Sequence, residues 1–124
     1  MAVKVVDASA IGALLFGEPE AEAIVARLAG APLTAPALFP FEVANIALKK
    51  IRRHPEQRTS LLAGHALLSR LPIDIAGVDQ GAALRLAEQT GLTAPDASYL
   101  WLARTLGAEL ITLDKRLQAA SAAP

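Results

Sequence analysis

The chain has 124 residues and a mass of 12.9 kDa, which is enough for one hydrophobic core and too little for two. Twelve Lys and Arg side chains balance twelve Asp and Glu side chains, which excludes a uniformly basic nucleic-acid binder but permits a local basic patch. The absence of cysteine excludes disulfides, cysteine-ligated zinc and thiol catalysis, and it fits the cytoplasm, where we expect the protein to act. The longest uncharged run, residues 29–41, contains three prolines, so we expect no membrane span.

The first ordered stretch, residues 3–9, changes from valine-rich to acidic and small. This pattern predicts a short, buried parallel strand that ends at Asp7. Ligands of open parallel sheets bind beyond the carboxyl ends of the strands, so Asp7 is a candidate site residue. The alternative is that Asp7 only caps the apolar helix predicted over residues 8–16, which Gly17 and Pro19 end.

The next segments alternate between helices and short strands. Acidic residues begin a helix that Gly30 ends, and residues 33–35 form a candidate strand between two prolines. Pro40 suits the first turn of a helix over residues 39–53. The helical spacing of four apolar residues supports that helix: Phe41, Ala44, Leu48 and Ile51.

A polar stripe follows the same helix. At 100° per residue, Lys49 and Arg53 each project within about 20° of Glu42, and Asn45 beside them is a candidate supporting residue. Five basic residues fall within ten positions here: Lys49, Lys50, Arg52, Arg53 and Arg58. The stripe is a candidate phosphate-binding surface for a nucleic acid at Lys49 and Arg53, and the alternative is a solvated basic face that suits a helix carboxyl end.

The second half of the chain repeats the alternation. We predict a helix over residues 56–70, a strand over residues 73–75, and a helix that begins near Asp79 and ends at Gly91. The most apolar helix begins around Asp96 and ends at residue 107, and it should be largely buried. A strand over residues 110–113 then stops at Asp114, before a helix over residues 115–118 and a frayed tail over residues 119–124.

Four carboxylates are expected to meet at one edge of the sheet. Right-handed crossovers place the carboxyl ends of parallel strands on one side, where Asp7 and Asp114 lie directly. The helix that begins at Asp96 runs back along the sheet, and the strand after it returns to the carboxyl edge. The first turn of that helix therefore lies at the same edge, and so does Glu42 in the first turn of the helix after the second strand. Four clustered carboxylates repel one another unless a cation lies among them, which predicts Mg²⁺ or Mn²⁺. Helix-dipole stabilisation is the alternative for Glu42 and Asp96.

The motifs around these acids resemble the characteristic blocks of PIN-domain ribonucleases. They are Val-Val-Asp-Ala-Ser at residues 5–9, Phe-Glu-Val-Ala-Asn at residues 41–45, Pro-Asp-Ala-Ser-Tyr at residues 95–99 and Ile-Thr-Leu-Asp at residues 111–114. Each motif is short, but the four occur in order over almost the whole chain. The resemblance is closest to the VapC-type toxins of bacterial toxin–antitoxin systems.

This resemblance implies a single PIN-like domain over residues 1–124, with a helix-rich α/β fold: a three-layer α/β/α sandwich around a short parallel sheet of about four strands. It implies a Mg²⁺- or Mn²⁺-dependent endoribonuclease, a VapB-like antitoxin partner, an RNA substrate and a homodimer. The resemblance assigns the metal and catalytic roles to Asp7, Glu42, Asp96 and Asp114, and supporting roles to Ser9 and Thr112. VapC-type chains usually end with a further strand, whereas residues 117–124 are alanine-rich.

Two other readings compete with the nuclease. A non-catalytic PIN-like module would bind RNA or a partner through the basic residues, although an acidic site facing a polyanion gives a pure binder no advantage. An aspartyl-phosphate phosphatase or receiver domain would require another acid two residues after Asp7 or a pair of acids before it. The sequence has Ser9 and two valines at those positions.

Overall fold

The computed structural model describes residues 2–123, in which strands and helices alternate. The strands are β1 (Lys4–Val6), β2 (Leu33–Pro36), β3 (Ile73–Ala76) and β4 (Glu109–Ile111). The helices are α1 (Ala8–Leu15), α2 (Ala21–Leu28), α3 (Phe39–Arg53), α4 (Arg58–Ala66), α5 (Gln80–Thr90), α6 (Ala94–Leu106) and α7 (Lys115–Ala122). Short 3-10 turns, Pro55–Gln57 and Leu67–Arg70, flank α4, where the sequence had suggested one continuous helix.

All four strands are parallel, and their order across the sheet is β3-β2-β1-β4. Strand β1 is therefore central, and Val5 pairs with Thr34 on one side and with Leu110 on the other. Val5 and Val6 are completely buried, as expected for a strand covered on both faces. The residue that follows β1 consequently lies in the middle of the carboxyl edge of the sheet.

Helices cover both faces of this sheet. The chain moves outward from β1 to β2 to β3 and then returns past β1 to β4. Right-handed crossovers therefore place α1 to α4 on one face and α5 and α6 on the other. Helix α6 packs directly on β1, β2 and β4, and six of its residues are buried. The predicted helix-rich α/β fold with a short parallel sheet is confirmed.

Helix α3 has the predicted bounds, and its buried residues are not the ones whose spacing predicted the helix. Its buried residues are Phe39, Val43 and Ala47, whereas Phe41 is 80% exposed and Leu48 is 40% exposed. Both sets recur at helical spacing, so periodicity alone does not choose between them. Packing against α1 decides the rotation of the helix. Ile46 of α3 packs on Gly12 of α1 so closely that a Cβ atom added at Gly12 would lie 3.4 Å from Ile46 Cδ1.

The carboxyl-terminal segment also differs from the prediction. Strand β4 ends at Ile111, so Thr112 and Leu113 form a connection instead of strand residues. Helix α7 continues to Ala122, and the expected frayed tail is therefore helical over residues 119–122, as the high helix propensity of alanine favours. Leu117 anchors this helix in the core with no exposed surface. Residue 124 lies outside the described residues.

None of the helices in the described range has the length and apolar character needed to cross a lipid bilayer.

Candidate active site

A cleft of about 700 Å³ opens at the carboxyl edge of the sheet. Seven of the residues singled out in the sequence line it: Asp7, Ser9, Glu42, Asn45, Lys49, Asp96 and Asp114. Two others do not: Thr112 is buried beside Asp7, and Arg53 is exposed at the end of α3. Four carboxylates from four separate parts of the chain thus share one cleft.

Asp7 is the most buried of these acids, with 5% of its surface exposed. Its Oδ1 accepts hydrogen bonds from the Ala10 N–H at 3.0 Å and from the Ser9 hydroxyl at 2.8 Å, and its Oδ2 accepts one from Thr112. Asp7 therefore caps α1 and also lines the cleft, so the two readings of this residue are compatible. Burial raises the pKa of Asp7 more than these hydrogen bonds lower it, and the charge of Asp114 adds to the rise.

Two hydroxyls, one partly buried (Ser9) and one buried (Thr112), connect Asp7 to the segment after β4. While donating to Asp7, Ser9 Oγ accepts the Leu113 N–H at 2.9 Å and Thr112 Oγ1 accepts the Asp114 N–H at 3.0 Å. Each hydroxyl thus uses its proton on the carboxylate and a lone pair on the backbone. Asp114 in turn caps α7 by accepting the Leu117 N–H at 2.9 Å. This network fixes the position of the Asp114 backbone relative to Asp7.

Glu42 is held by a residue to which the sequence analysis assigned no role. The hydroxyl of Tyr99, which is 1% exposed, donates to Glu42 Oε1 at 2.6 Å. Burial raises the pKa of Glu42, the Tyr99 hydrogen bond opposes that rise, and the charges of Asp96 and Asp7 reinforce it. The only tyrosine of the chain, three residues after Asp96 on an apolar helix, was the available signal, because a buried tyrosine hydroxyl usually finds a partner.

Asp96 lies in the first turn of α6, where the Thr93 hydroxyl accepts its backbone N–H at 3.2 Å. The Asp96 side chain is partly exposed in the cleft. Partial burial and the charge of Asp114 raise its pKa. Three of the four cleft carboxylates therefore hold their protons more tightly than usual, and in each case a neighbouring carboxylate contributes.

The chemistry of these side chains suits a hard divalent cation, because all four are carboxylates. Burial is the main cause of the raised pKa of Asp7, Glu42 and Asp96, and the negative charge of a neighbouring carboxylate adds to each rise. Within residues 2–123, however, no three acidic or histidine side chains stand close enough to form a ready-made metal site. The cleft thus provides the right ligand type without a closed cage of ligands.

The basic cluster divides into residues with different surroundings. Lys49 lines the cleft, whereas Lys50 forms an ion pair with Glu18 and lies 5.8 Å from the centre of the Phe16 ring. Lys50 therefore connects α3 to the segment after α1. Of the two basic residues predicted to bind RNA, only Lys49 belongs to the cleft.

Phe41 also lines the cleft. At 80% it is the most exposed large hydrophobic residue of the described chain.

This chain resembles known proteins in sequence and in fold. The profile of the PIN domain family matches residues 4–123. The crystal structure of PAE2754 from Pyrobaculum aerophilum is similar, with a TM-score of 0.77 and 25% identity over 98% of this chain and 86% of that one. The toxin VapC20 of Mycobacterium tuberculosis, described as cleaving the sarcin-ricin loop, shares the fold with a TM-score of 0.66 and 16% identity over 96% of this chain and 95% of that one. No curated protein sequence matches significantly. The chain belongs to the PIN domain family.

Proposed function

We propose that this chain is a metal-dependent endoribonuclease and the toxin of a toxin–antitoxin pair. The observation that carries the proposal is the meeting of Asp7, Glu42, Asp96 and Asp114 in one cleft at the carboxyl edge of the sheet. Membership of the PIN domain family and the fold shared with a toxin described as cleaving the sarcin-ricin loop support it. We place its activity in the cytoplasm, in keeping with the cysteine-free chain.

The four carboxylates are the residues that would hold Mg²⁺ or Mn²⁺. When bound, such an ion polarises a phosphodiester, lowers the pKa of a water molecule and stabilises the leaving oxygen. The chain's own contribution is to position the carboxylates: Ser9 and Thr112 orient Asp7, and Tyr99 orients Glu42. In this proposal Ser9 supports Asp7, water is the nucleophile, and no covalent intermediate is needed.

Cleavage of RNA by the purified protein tests the proposal. Asp7→Asn and Asp96→Asn should each abolish cleavage in Mg²⁺ or Mn²⁺, because a lost ligand charge weakens the hold on the cation. Asp79→Asn is the matched control, since Asp79 also caps a helix, accepts the Ala82 N–H at 3.0 Å and lies outside the cleft lining. Sequencing the RNA ends would identify the cut site. Full activity in excess EDTA, or an active Asp96→Asn protein, would show that the proposed chemistry is wrong.

A VapB-like antitoxin is the proposed partner. We expect a segment of it to cover the cleft and to present a basic group, which we infer to be Arg because its planar guanidinium matches paired carboxylate oxygens and keeps its charge. Co-purification from the native operon, followed by a structure of the complex, tests this contact, and a complex with the cleft uncovered would contradict it. We also propose a homodimer, which light scattering of the purified toxin would measure.

A non-catalytic binding module is the second candidate, and one observation favours it. No three acidic or histidine side chains of residues 2–123 form a ready-made metal site. A binding module would retain RNA or partner affinity while showing no metal-dependent cleavage. The cleavage assay with the Asp96→Asn and Asp79→Asn pair separates the two candidates directly.

A further inference from the structure

The exposure of Phe41 is not explained by the fold. Helix α3 buries Phe39, Val43 and Ala47, and Phe41 projects away from that face with 80% of its surface exposed. A single exposed hydrophobic residue is common on protein surfaces and by itself indicates nothing. Phe41, however, lines the cleft that contains the four carboxylates and precedes one of them, Glu42, in the chain.

Two further residues of α3 line the same cleft at regular spacing. Asn45 and Lys49 follow Phe41 at intervals of four residues, so each is displaced by about 6 Å along the helix axis and 40° around it. An aromatic ring, an amide and an ammonium group therefore follow one another along one wall of the cleft, over about 12 Å. No ion pair of the described residues engages Lys49.

This order of chemical groups matches the surfaces of an unpaired nucleotide strand. Aromatic rings bind single strands by stacking on the faces of bases, amides reach base edges, and cations hold phosphates. A base within a duplex has both faces covered by its neighbours, so an exposed ring beside a cutting site suits only a base outside a duplex. Lys49 supplies the charge complementarity that an otherwise acidic cleft requires to admit a polyanion.

We propose that Phe41 stacks on an unpaired base of the RNA strand beside the phosphate held at the carboxylates, with Asn45 at the base edge and Lys49 on a neighbouring phosphate. This inference rests on the proposed nuclease function, which it deepens by assigning a base-binding residue.

Stacking can be measured separately from cleavage. The probe is a short oligouridine with one central 2-aminopurine, whose fluorescence is quenched when the base stacks, and binding is followed by anisotropy in the Asp96→Asn background. Phe41→Ala should weaken binding by about 5- to 150-fold, the range for losing one base–aromatic stack, and should remove the quenching. Phe41→Trp should restore both, while Phe41→Leu, which keeps only apolar surface, should not.

Leu48→Ala is the matched control, because Leu48 is an exposed apolar residue of the same helix that lies outside the cleft lining. It should leave affinity and quenching unchanged. A duplex of the same length should bind Asp96→Asn and Asp96→Asn/Phe41→Ala proteins equally. Unchanged quenching in the Phe41→Ala protein, an equal loss of affinity for duplex and single strand, or an effect of Phe41→Ala on antitoxin binding alone would overturn the assignment.

The two proposals fail in distinguishable ways. If the wild-type protein cuts no RNA but quenches the probe in a Phe41-dependent manner, the nuclease proposal is wrong and the stacking assignment is supported. If the wild-type protein cuts RNA and Phe41→Ala changes neither cleavage nor quenching, the stacking assignment alone is wrong.

Discussion

Replacing Thr112 with Val tests how Asp7 is held in the fold. Thr112 is 1% exposed, and its hydroxyl donates to Asp7 Oδ2 and accepts the Asp114 N–H at 3.0 Å. Valine has nearly the same shape, with a methyl group in place of the hydroxyl. Thr112→Val therefore removes both hydrogen bonds with little change in packing, and Asp7 remains buried with one fewer donor.

The expected cost follows from these two contacts. A hydrogen bond to a charged group contributes about 1.5–3 kcal/mol, and leaving the Asp114 N–H without its acceptor costs about 1 kcal/mol more. Thr112→Val should thus lower the free energy of unfolding by about 2–4 kcal/mol. Thr112→Ser keeps the hydroxyl and loses one buried methyl group, which costs about 1 kcal/mol. Urea unfolding in EDTA measures both variants.

The pH dependence gives a second, independent readout. Burial raises the pKa of Asp7 above its ordinary value of 3.8, and the Thr112 hydrogen bond limits that rise, so its removal raises the pKa further. A carboxyl with a raised folded-state pKa contributes stability that is present below the unfolded value and is lost as pH rises through the folded value. The Thr112→Val deficit should therefore be small in acid and should grow as pH rises through the pKa of Asp7. The Thr112→Ser deficit should be flat with pH. A Val deficit no larger than the Ser deficit at neutral pH, or one that does not change with pH, would refute the reasoning.

Two further predictions concern α3 and α4. If Lys49 and Arg53 both contact RNA phosphates, replacing both with Ala should weaken binding to different single strands about equally and reduce the slope of log affinity against log salt by about 1.4 units, or 0.7 per contact; an unchanged slope would mean a solvated surface. Gly64→Ala should destabilise the protein by about 1–2 kcal/mol, because the new Cβ would lie 2.7 Å from the Leu15 carbonyl oxygen and the clash outweighs a helix-propensity gain of about 1 kcal/mol. Gly81→Ala in α5, where the new Cβ would lie 3.5 Å from its nearest neighbours, should instead stabilise the protein by up to about 1 kcal/mol. Thermal unfolding measures both variants, and a change in stability of the same sign in both would contradict the prediction.

The sequence was sufficient to predict features that depend on local residue patterns or on the parallel arrangement of the strands. Pro40 and the segment His54–Pro55 delimit α3, and the structure has the predicted bounds, Phe39–Arg53. The placement of Asp7 and Asp114 at one edge needed only the rule that parallel strands end together, because any right-handed arrangement of these strands brings their carboxyl ends to the same side.

Features that depend on packing between distant segments could not be predicted. The choice of Val43 over Ala44 for the buried face of α3 depends on contacts with α1. The Tyr99–Glu42 hydrogen bond joins residues 57 positions apart, and the Lys50–Glu18 ion pair joins residues 32 apart. Helical spacing fixes which residues share a face but not which face turns inward, and it carries no information about side-chain partners on another element.

Asp96→Asn tests whether the carboxylate cleft is maintained at the expense of stability. Burial and Asp114 raise the pKa of Asp96 even though its place in the first turn of α6 favours the ionised form, so the unfavourable influences prevail. Wild-type stability is therefore lost as pH rises from 3.8 through the raised pKa, and Asp96→Asn in EDTA should be the more stable protein at neutral pH but not in acid.

Adding Mn²⁺ should reverse that order. A ligand that binds only the folded state stabilises it by about 2.7 kcal/mol at 100 times its Kd, so the wild type should gain stability and Asp96→Asn, with a weakened site, should gain less. Thermal unfolding in EDTA and in Mn²⁺ gives both comparisons, and Asp79→Asn, which changes the same chemical group outside the cleft, should respond to Mn²⁺ like the wild type. Lower stability of Asp96→Asn in EDTA at neutral pH would show that Asp96 is a structural residue of α6 whose charge stabilises the helix. A wild-type protein indifferent to Mn²⁺ would show that the carboxylates do not bind this cation, because folding stability must rise whenever the folded state alone binds it.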